Sequence, residues 1–391
     1  MIRIFLNGAA ASAGGGLTYL RNVVPHLSHR EDVQATVAIS PKLRREFGAA
    51  PNLSFVDLDF SLNVVRRFWQ EQRRLPGIIK RCAADILISA GNFALKNSPV
   101  PQILLSRNSL YTSADFYHDL RQRGDYGLWV DTKIKGFLAQ CSITWADCTV
   151  APSRAFASEL TQWTGRPIIA IPHGFDAGAF SRDVSPLPKD ILNKLTPASG
   201  IVRLLFVSHY NYYRNFETLL RAVPILCERL KPRDVQVVLT CKFRSGQNPG
   251  SYQTESAARL IRELDIAANI VELGAVPYHS LHQVYRACDV YVSPAYAESF
   301  AHPLVEAMSC GLPLAVSDLP VHREICGNAA LYFQRFSPRE LADAVLQASA
   351  ADSKGRLVEA GRIQSLNYSW LQHVDQLLQF AGDLISKGKT S

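Results

Sequence analysis

The sequence predicts an α/β protein built from two doubly wound, parallel-sheet domains. Short Val/Ile/Leu-rich runs alternate with longer helical patterns along the whole chain. The short runs lack polar–apolar alternation, as parallel strands buried on both faces do. The alternation pauses at a proline-bearing stretch near the middle and then restarts. The 391 residues agree with this reading, because about 100–200 residues per domain leaves enough chain for two cores. With 47% hydrophobic and 19% charged residues, the composition excludes a fibrous or disordered chain. Two such lobes imply a cleft between them.

The elements follow in order. In the first lobe the expected strands are Ile2–Leu6, Gln34–Ile39, Leu53–Leu58, Ile86–Ser89, Gln102–Leu105, Cys148–Ala151 and Ile168–Ile171, with a first helix over Leu17–Leu27 after Gly14-Gly15-Gly16. The domain organisation expected is residues 1–182, a linker at 183–200 and a second domain at 201–368. The linker carries three prolines and mixed charge. The second lobe alternates Val202–Val207 (strand), Phe216–Arg229 (helix), Gln236–Thr240 (strand), Ser256–Leu264 (helix), Ile270–Leu273 (strand), Leu281–Ala287 (helix) and Val290–Ser293 (strand). A helix from Pro303 to Cys310, a strand Leu314–Ser317 and a helix from Pro338 complete it. The segment 369–391 has apolar residues at helical spacing, and is expected to pack back on the first domain, with the second as the alternative.

Eight scattered cysteines form no C-x-x-C and no Cys/His pair at zinc spacing, so free thiols in a reducing cytoplasm are expected, and no metal. The apolar run Ile4–Leu6 is too short for the core of a signal peptide, and no run of about 18 apolar residues exists. The formal charge of +8 is uneven: residues 1–185 hold 21 Lys/Arg against 15 Asp/Glu. The first half is therefore expected to meet something anionic. Within it, Val64–Cys82 carries six basic residues and one acid, interleaved with Trp69, Leu75, Ile78 and Ile79. This is either an amphipathic surface for an anionic membrane or a solvated helix face broken at Pro76-Gly77.

The most informative stretch runs from Cys288 to Asp318. A strand ends at Ser293-Pro294, Pro303 suits a first helical position, and Gly311 closes the helix. In open α/β sheets ligands bind beyond the carboxyl ends of strands, where helix N-termini aim free N–H groups at anions. Backbone amides from Ser299 through Phe300 and Ala301 to His302 would suit a diphosphate. Glu298 in the loop and Glu306 in the first helical turn would accept sugar hydroxyls. As plainer alternatives, Glu306 is an acid favoured by the helix dipole, Glu298 a solvated loop carboxylate, and His302 a helix cap.

Glu298 and Glu306, in E-S-F-A-H-P-L-V-E, resemble the E-x7-E signature of the retaining glycosyltransferases of family 4. The following E-A-M-S-C-G-L-P and S-D-L-P-V-H-R-E extend the match, and the resemblance covers nearly the whole chain. It implies the two-lobed GT-B fold, with Rossmann-like domains facing a central cleft. It also implies transfer of a sugar from a nucleoside-diphosphate sugar to a glycan, lipid-linked or other hydroxyl acceptor, in polysaccharide or glycoconjugate assembly. Configuration would be retained without a metal, with no cofactor beyond the donor, and with neither nucleic acid nor covalent nucleophile involved.

By the same resemblance Arg214 and Lys242 would neutralise the leaving diphosphate, Glu298 would meet the transferred sugar, and Glu306 the ribose. Gly15 and Gly16 would belong to a glycine-rich loop facing the phosphates. Val276, in Gly274-Ala275-Val276-Pro277, would contact the base. Arg107, Asn108 and His173 are the acceptor-side candidates. Three departures stand out: Ser208 occupies a place where many members carry Arg, Ala301 stands where Gly is frequent, and a first-lobe His near the sugar has no counterpart. A nucleotide-sugar epimerase of the same fold, or a catalytically silent binding subunit, are the competing readings.

Overall fold

The computed structural model describes residues 1–11, 14–61, 63–196, 200–244, 246–248 and 252–388. They form two compact units, one comprising 1–174 with 369–391 and the other 175–368. Each unit is a wound parallel sheet.

The first unit contains β1 (Ile2–Asn7), β2 (Val33–Ile39), β3 (Leu53–Asp57), β4 (Ile86–Ser89), β5 (Gln102–Leu105), β6 (Cys148–Ala151) and β7 (Ile169–Ala170). Their order across the sheet is β3-β2-β1-β4-β5-β6-β7, with every pairing parallel. The order reverses between β1 and β4, which places a switch point, and hence a ligand crevice, at the carboxyl ends of those strands. β4 and β5 are buried at every position, and their cores Ile86–Ile88 and Ile103–Leu105 read as apolar runs, while buried Ser89 and Gln102 are satisfied by hydrogen bonds.

The first helix, Gly14–Ser28, begins earlier than the expected Leu17. Gly14, Gly15 and Gly16 form its opening turn rather than a loop. The helix Val64–Arg81 runs unbroken through Pro76 and Gly77, correcting the expected break. It buries Phe68, Glu71, Leu75 and Ile79 and leaves Trp69 exposed. The last helix, Trp370–Gly388, lies in this unit. Its Trp370, Val374, Leu377, Leu378 and Ala381 share one core with Tyr19, Val23, Val24 and Leu27 of the first helix.

The second unit contains β8 (Ile201–Phe206), β9 (Asp234–Leu239), β10 (Ile270–Glu272), β11 (Val290–Ser293), β12 (Leu314–Ser317) and β13 (Ala330–Phe333). The order is β10-β9-β8-β11-β12-β13, again wholly parallel. Its switch point falls between β8 and β11. In the stretch 183–200 a helix forms at Lys189–Lys194, while residues 197–199 lie outside those described.

Candidate functional site

The loops leaving β8 and β11 flank the switch point of the second unit and carry Arg214 and Glu298. After β8 a short 3-10 turn, Tyr212–Arg214, ends at Asn215, whose φ of +54° is left-handed. Asparagine tolerates that region because its short polar side chain bonds locally. Here Asn215 Nδ2 donates to the Pro294 carbonyl at 3.0 Å, and its Oδ1 accepts from the Thr218 hydroxyl at 2.8 Å. The Tyr296 N–H donates to the Tyr213 carbonyl at 3.0 Å. These bonds stitch the two loops together, and Arg214 forms an ion pair with the buried Glu298. The Nε–H of Arg214 is buried without a hydrogen-bond partner, so a donor group is left for a ligand.

Glu298 leads through Ser299, Phe300 and Ala301 into the helix His302–Ser309. Phe300 is buried and meets Tyr368 edge-on, with ring centroids 5.4 Å apart. Ala301 sits at φ +64° and ψ +63°, a conformation natural to glycine that costs a residue with a Cβ about 1 kcal/mol. The Ala-for-Gly departure is thus accommodated by strain at this turn. His302 opens the helix and is half-buried.

Glu306 lies one turn into that helix and is 4% exposed. Its Oε2 accepts from the Tyr285 hydroxyl at 2.7 Å, and the Tyr278 hydroxyl also reaches the carboxylate. Burial pushes its pKa up to about 7, against the lowering effect of the two tyrosine bonds. Tyr285 and Tyr278 were not singled out from the sequence. They sit some twenty or more positions from Glu306, and no spacing rule connects them to it. His322 is a further unforeseen neighbour. Its Nδ1 lies 2.8 Å from the Ser317 carbonyl, while its buried Nε2 has no partner. Burial, aided by the Arg214 charge, lowers its pKa to about 4, so it is a neutral ring beside the cation.

Lys242 follows β9, and its methylenes lie along Gly274: a Cβ there would come 3.0 Å from Lys242 Cε. Val276 is half-buried in the next loop. Ser208 is half-buried, its hydroxyl donating to the His209 carbonyl at 2.7 Å and its N–H to the Thr240 hydroxyl at 3.0 Å.

The first unit gathers its own set at the carboxyl ends of its strands. Arg107 donates through Nη1 to the Gly15 carbonyl at 3.3 Å and through Nη2 to the Ala90 carbonyl. Its guanidinium lies 4.7 Å from the Tyr19 ring centroid. A Cβ on Gly16 would come 3.8 Å from Arg107 Nη2, so Gly15, Gly16 and Arg107 are brought together. Burial lowers the Arg107 pKa to about 10.

Asn108 accepts the Leu110 N–H at 3.1 Å as a turn cap. His173 is buried among Tyr19, Trp370 and His373, with ring centroids 5.4–5.5 Å away. The sequence reading also missed Glu71, whose Oε2 accepts from Asn7 Nδ2 at 3.0 Å at the end of β1.

A pair of wound parallel sheets, each with its switch point, is the architecture of the GT-B class, and solved structures agree. Sucrose-phosphate synthase from Thermosynechococcus elongatus superposes with a TM-score of 0.78 at 17% identity, covering 99% of this chain and 100% of that one. Anabaena HepE, solved in complex with UDP-glucose, superposes with a TM-score of 0.72 at 16% identity, covering 98% and 100%.

Residues 190–363 match the family model described as glycosyl transferases group 1. D-inositol 3-phosphate glycosyltransferase of Corynebacterium diphtheriae is 28% identical over 184 residues, 46% of this chain and 42% of that protein. O-antigen chain mannosyltransferase B of Escherichia coli is 33% identical over 99 residues, 25% of this chain and 26% of that protein. The chain spans less than half the length of these curated relatives. Among the described residues no helix is long and apolar enough to cross a membrane.

Proposed function

We propose that the protein transfers a sugar from a nucleoside-diphosphate sugar to a hydroxyl acceptor, with retention of configuration and without a divalent metal. The observation that carries this is the meeting of Arg214 and Glu298 at the switch point of the second unit, with buried Glu306 on the helix that follows. A positive group held at the carboxyl ends of a wound sheet is placed to receive a diphosphate.

In this reading Arg214 and Lys242 offset the charge that develops on the departing diphosphate, together with the amides of Ser299–His302. Glu306, oriented by Tyr285, accepts the ribose hydroxyls, and Glu298 the hydroxyls of the transferred sugar. The Val276 backbone lies against the base. The leaving phosphate oxygen takes the acceptor proton as the new glycosidic bond forms and the sugar–phosphate bond breaks.

Arg107, held against the first helix beside Gly15 and Gly16, serves the acceptor half, with Asn108 and His173 shaping its surroundings. The acceptor is a glycan or a lipid-linked hydroxyl, used in polysaccharide or glycoconjugate assembly at the cytoplasmic side. The basic helix Val64–Arg81 then rests on anionic lipid. Two curated relatives named as glycosyltransferases, and a fold neighbour solved with UDP-glucose, support the donor chemistry.

A panel of UDP-, GDP-, dTDP- and ADP-sugars, followed by release of the nucleoside diphosphate, tests the proposal. Turnover with at least one donor, reduced about a hundredfold or more in Glu306→Ala, is the expected result. Turnover with none of them, or an unimpaired Glu306→Ala variant, would overturn it.

A further inference from the structure

The six-stranded sheet of the second unit ends on β10, a three-residue edge strand that is half-buried throughout. Beside this edge lies a groove of about 600 Å³, within the size range of small-molecule sites. Phe243, Ile261 and Ile270 supply apolar wall, and Lys194, Arg244 and Arg262 supply three cations. Glu272 is the acid of the lining, and it is already engaged. Its Oε1 accepts the Phe243 N–H at 2.7 Å, and its carbonyl accepts from Lys194 Nζ at 2.7 Å. Arg244 and Arg262 are exposed, and their side chains make no hydrogen bond or ion pair among the described residues. The groove thus pairs unspent positive charge with a concave apolar wall.

We propose that this groove binds an organic anion with an apolar or aromatic body. Arg244 and Arg262 grip the sulfonate, phosphate or carboxylate head, and the body lies against Phe243, Ile261 and Ile270. Planar guanidiniums suit oxyanions because their N–H groups match two oxygens at once, and removing the apolar body from water adds to the affinity. The site is distinct from Arg214, Glu298 and Glu306 but continuous with the loops beside them. Phe243 follows Lys242, and Lys242 lies along Gly274, two residues beyond Glu272. A ligand here fixes the Lys242 loop against the edge strand, which gives the site a regulatory character. The proposal does not rest on the glycosyl-transfer reading, since binding is measured directly.

Fluorescence titration of the full chain with 8-anilinonaphthalene-1-sulfonate tests it. The expected result is saturable binding of one dye per chain, weakened about tenfold or more in Arg244→Glu/Arg262→Glu, as the loss of two charge-assisted contacts requires. The same weakening is expected in Ala258→Trp, which fills the groove without changing its charge, while Arg214→Ala binds normally. Circular dichroism melts establish that each variant is folded, and the Ala258→Trp result decides if the charge-reversed variant is not. Binding indifferent to the groove variants, lost in Arg214→Ala instead, or rising without saturation would overturn the proposal.

Discussion

At the scale of single residues, Glu306 shows how the fold alters chemistry that the sequence names. The spacing from Glu298 and the surrounding motif single it out, but its burial against Tyr285 follows only from the packing of two helices. Its pKa of about 7 lies above the ordinary carboxyl value of 4.5, so the folded state binds its proton more tightly than the unfolded chain. The stability this contributes is complete below about pH 4.5 and is lost as pH rises through about 7, a change on the order of 3 kcal/mol. Thermal melts from pH 4.5 to 8 are expected to fall more steeply for the natural protein than for Glu306→Gln. The remaining slope combines buried Glu71, whose pKa is also raised to about 7 by burial, with buried His322 and His373, whose pKa values are lowered to about 4 by burial and so act in the opposite direction. Identical slopes in the two proteins would show that Glu306 titrates normally. Under the role proposed for Glu306, hydroxyl donors prefer the ionised carboxylate, so the same rise in pH is expected to favour donor binding.

At the scale of elements, strands were the most legible feature. β4, β5, β6, β11 and β12 fall at the residues their apolar runs mark, because strands buried on both faces are dominated by hydrophobic side chains without alternation. Two local signals misled. Three consecutive glycines suggest a loop, yet Gly14–Gly16 open a helix, and Gly15 offers its carbonyl to Arg107. Pro76 suggests a break, yet the helix Val64–Arg81 continues because Leu75 and Ile79 on either side are anchored in the core.

Gly174, in the I-P-H-G-F-D stretch, has a reason that no sequence rule supplies. A Cβ there would lie 2.0 Å from the Trp370 nitrogen, at the start of the last helix. Gly174→Ala is therefore expected to destabilise the first unit by about 3 kcal/mol, at the upper end of overpacking costs, because backbone rather than a side chain must yield. A lowered Tm with faster hydrogen exchange over residues 370–388 would register it. An unchanged melt would mean that the last helix is not seated as described.

At the scale of the whole molecule, the order of strands in each sheet places the chemistry. The switch point between β8 and β11 brings Arg214 and Glu298 together although more than 80 positions separate them, and Glu306 enters on the next helix. The wound α/β class was legible from alternation alone, whereas these partners were named through resemblance to a family. Neither route reaches Tyr278, Tyr285, Asn215 or His322, because their contacts arise from tertiary packing with no local signature.

The central claim is that the switch point of the second unit, between β8 and β11, holds a nucleoside diphosphate. Isothermal titration of the full chain with UDP, GDP, dTDP and ADP in the presence of EDTA tests it most directly. At least one diphosphate is expected to bind once per chain, with affinity reduced about tenfold or more in Arg214→Ala, since a charge-assisted contact to phosphate is lost. Binding of none of the four, or equal affinity in Arg214→Ala, would contradict the claim.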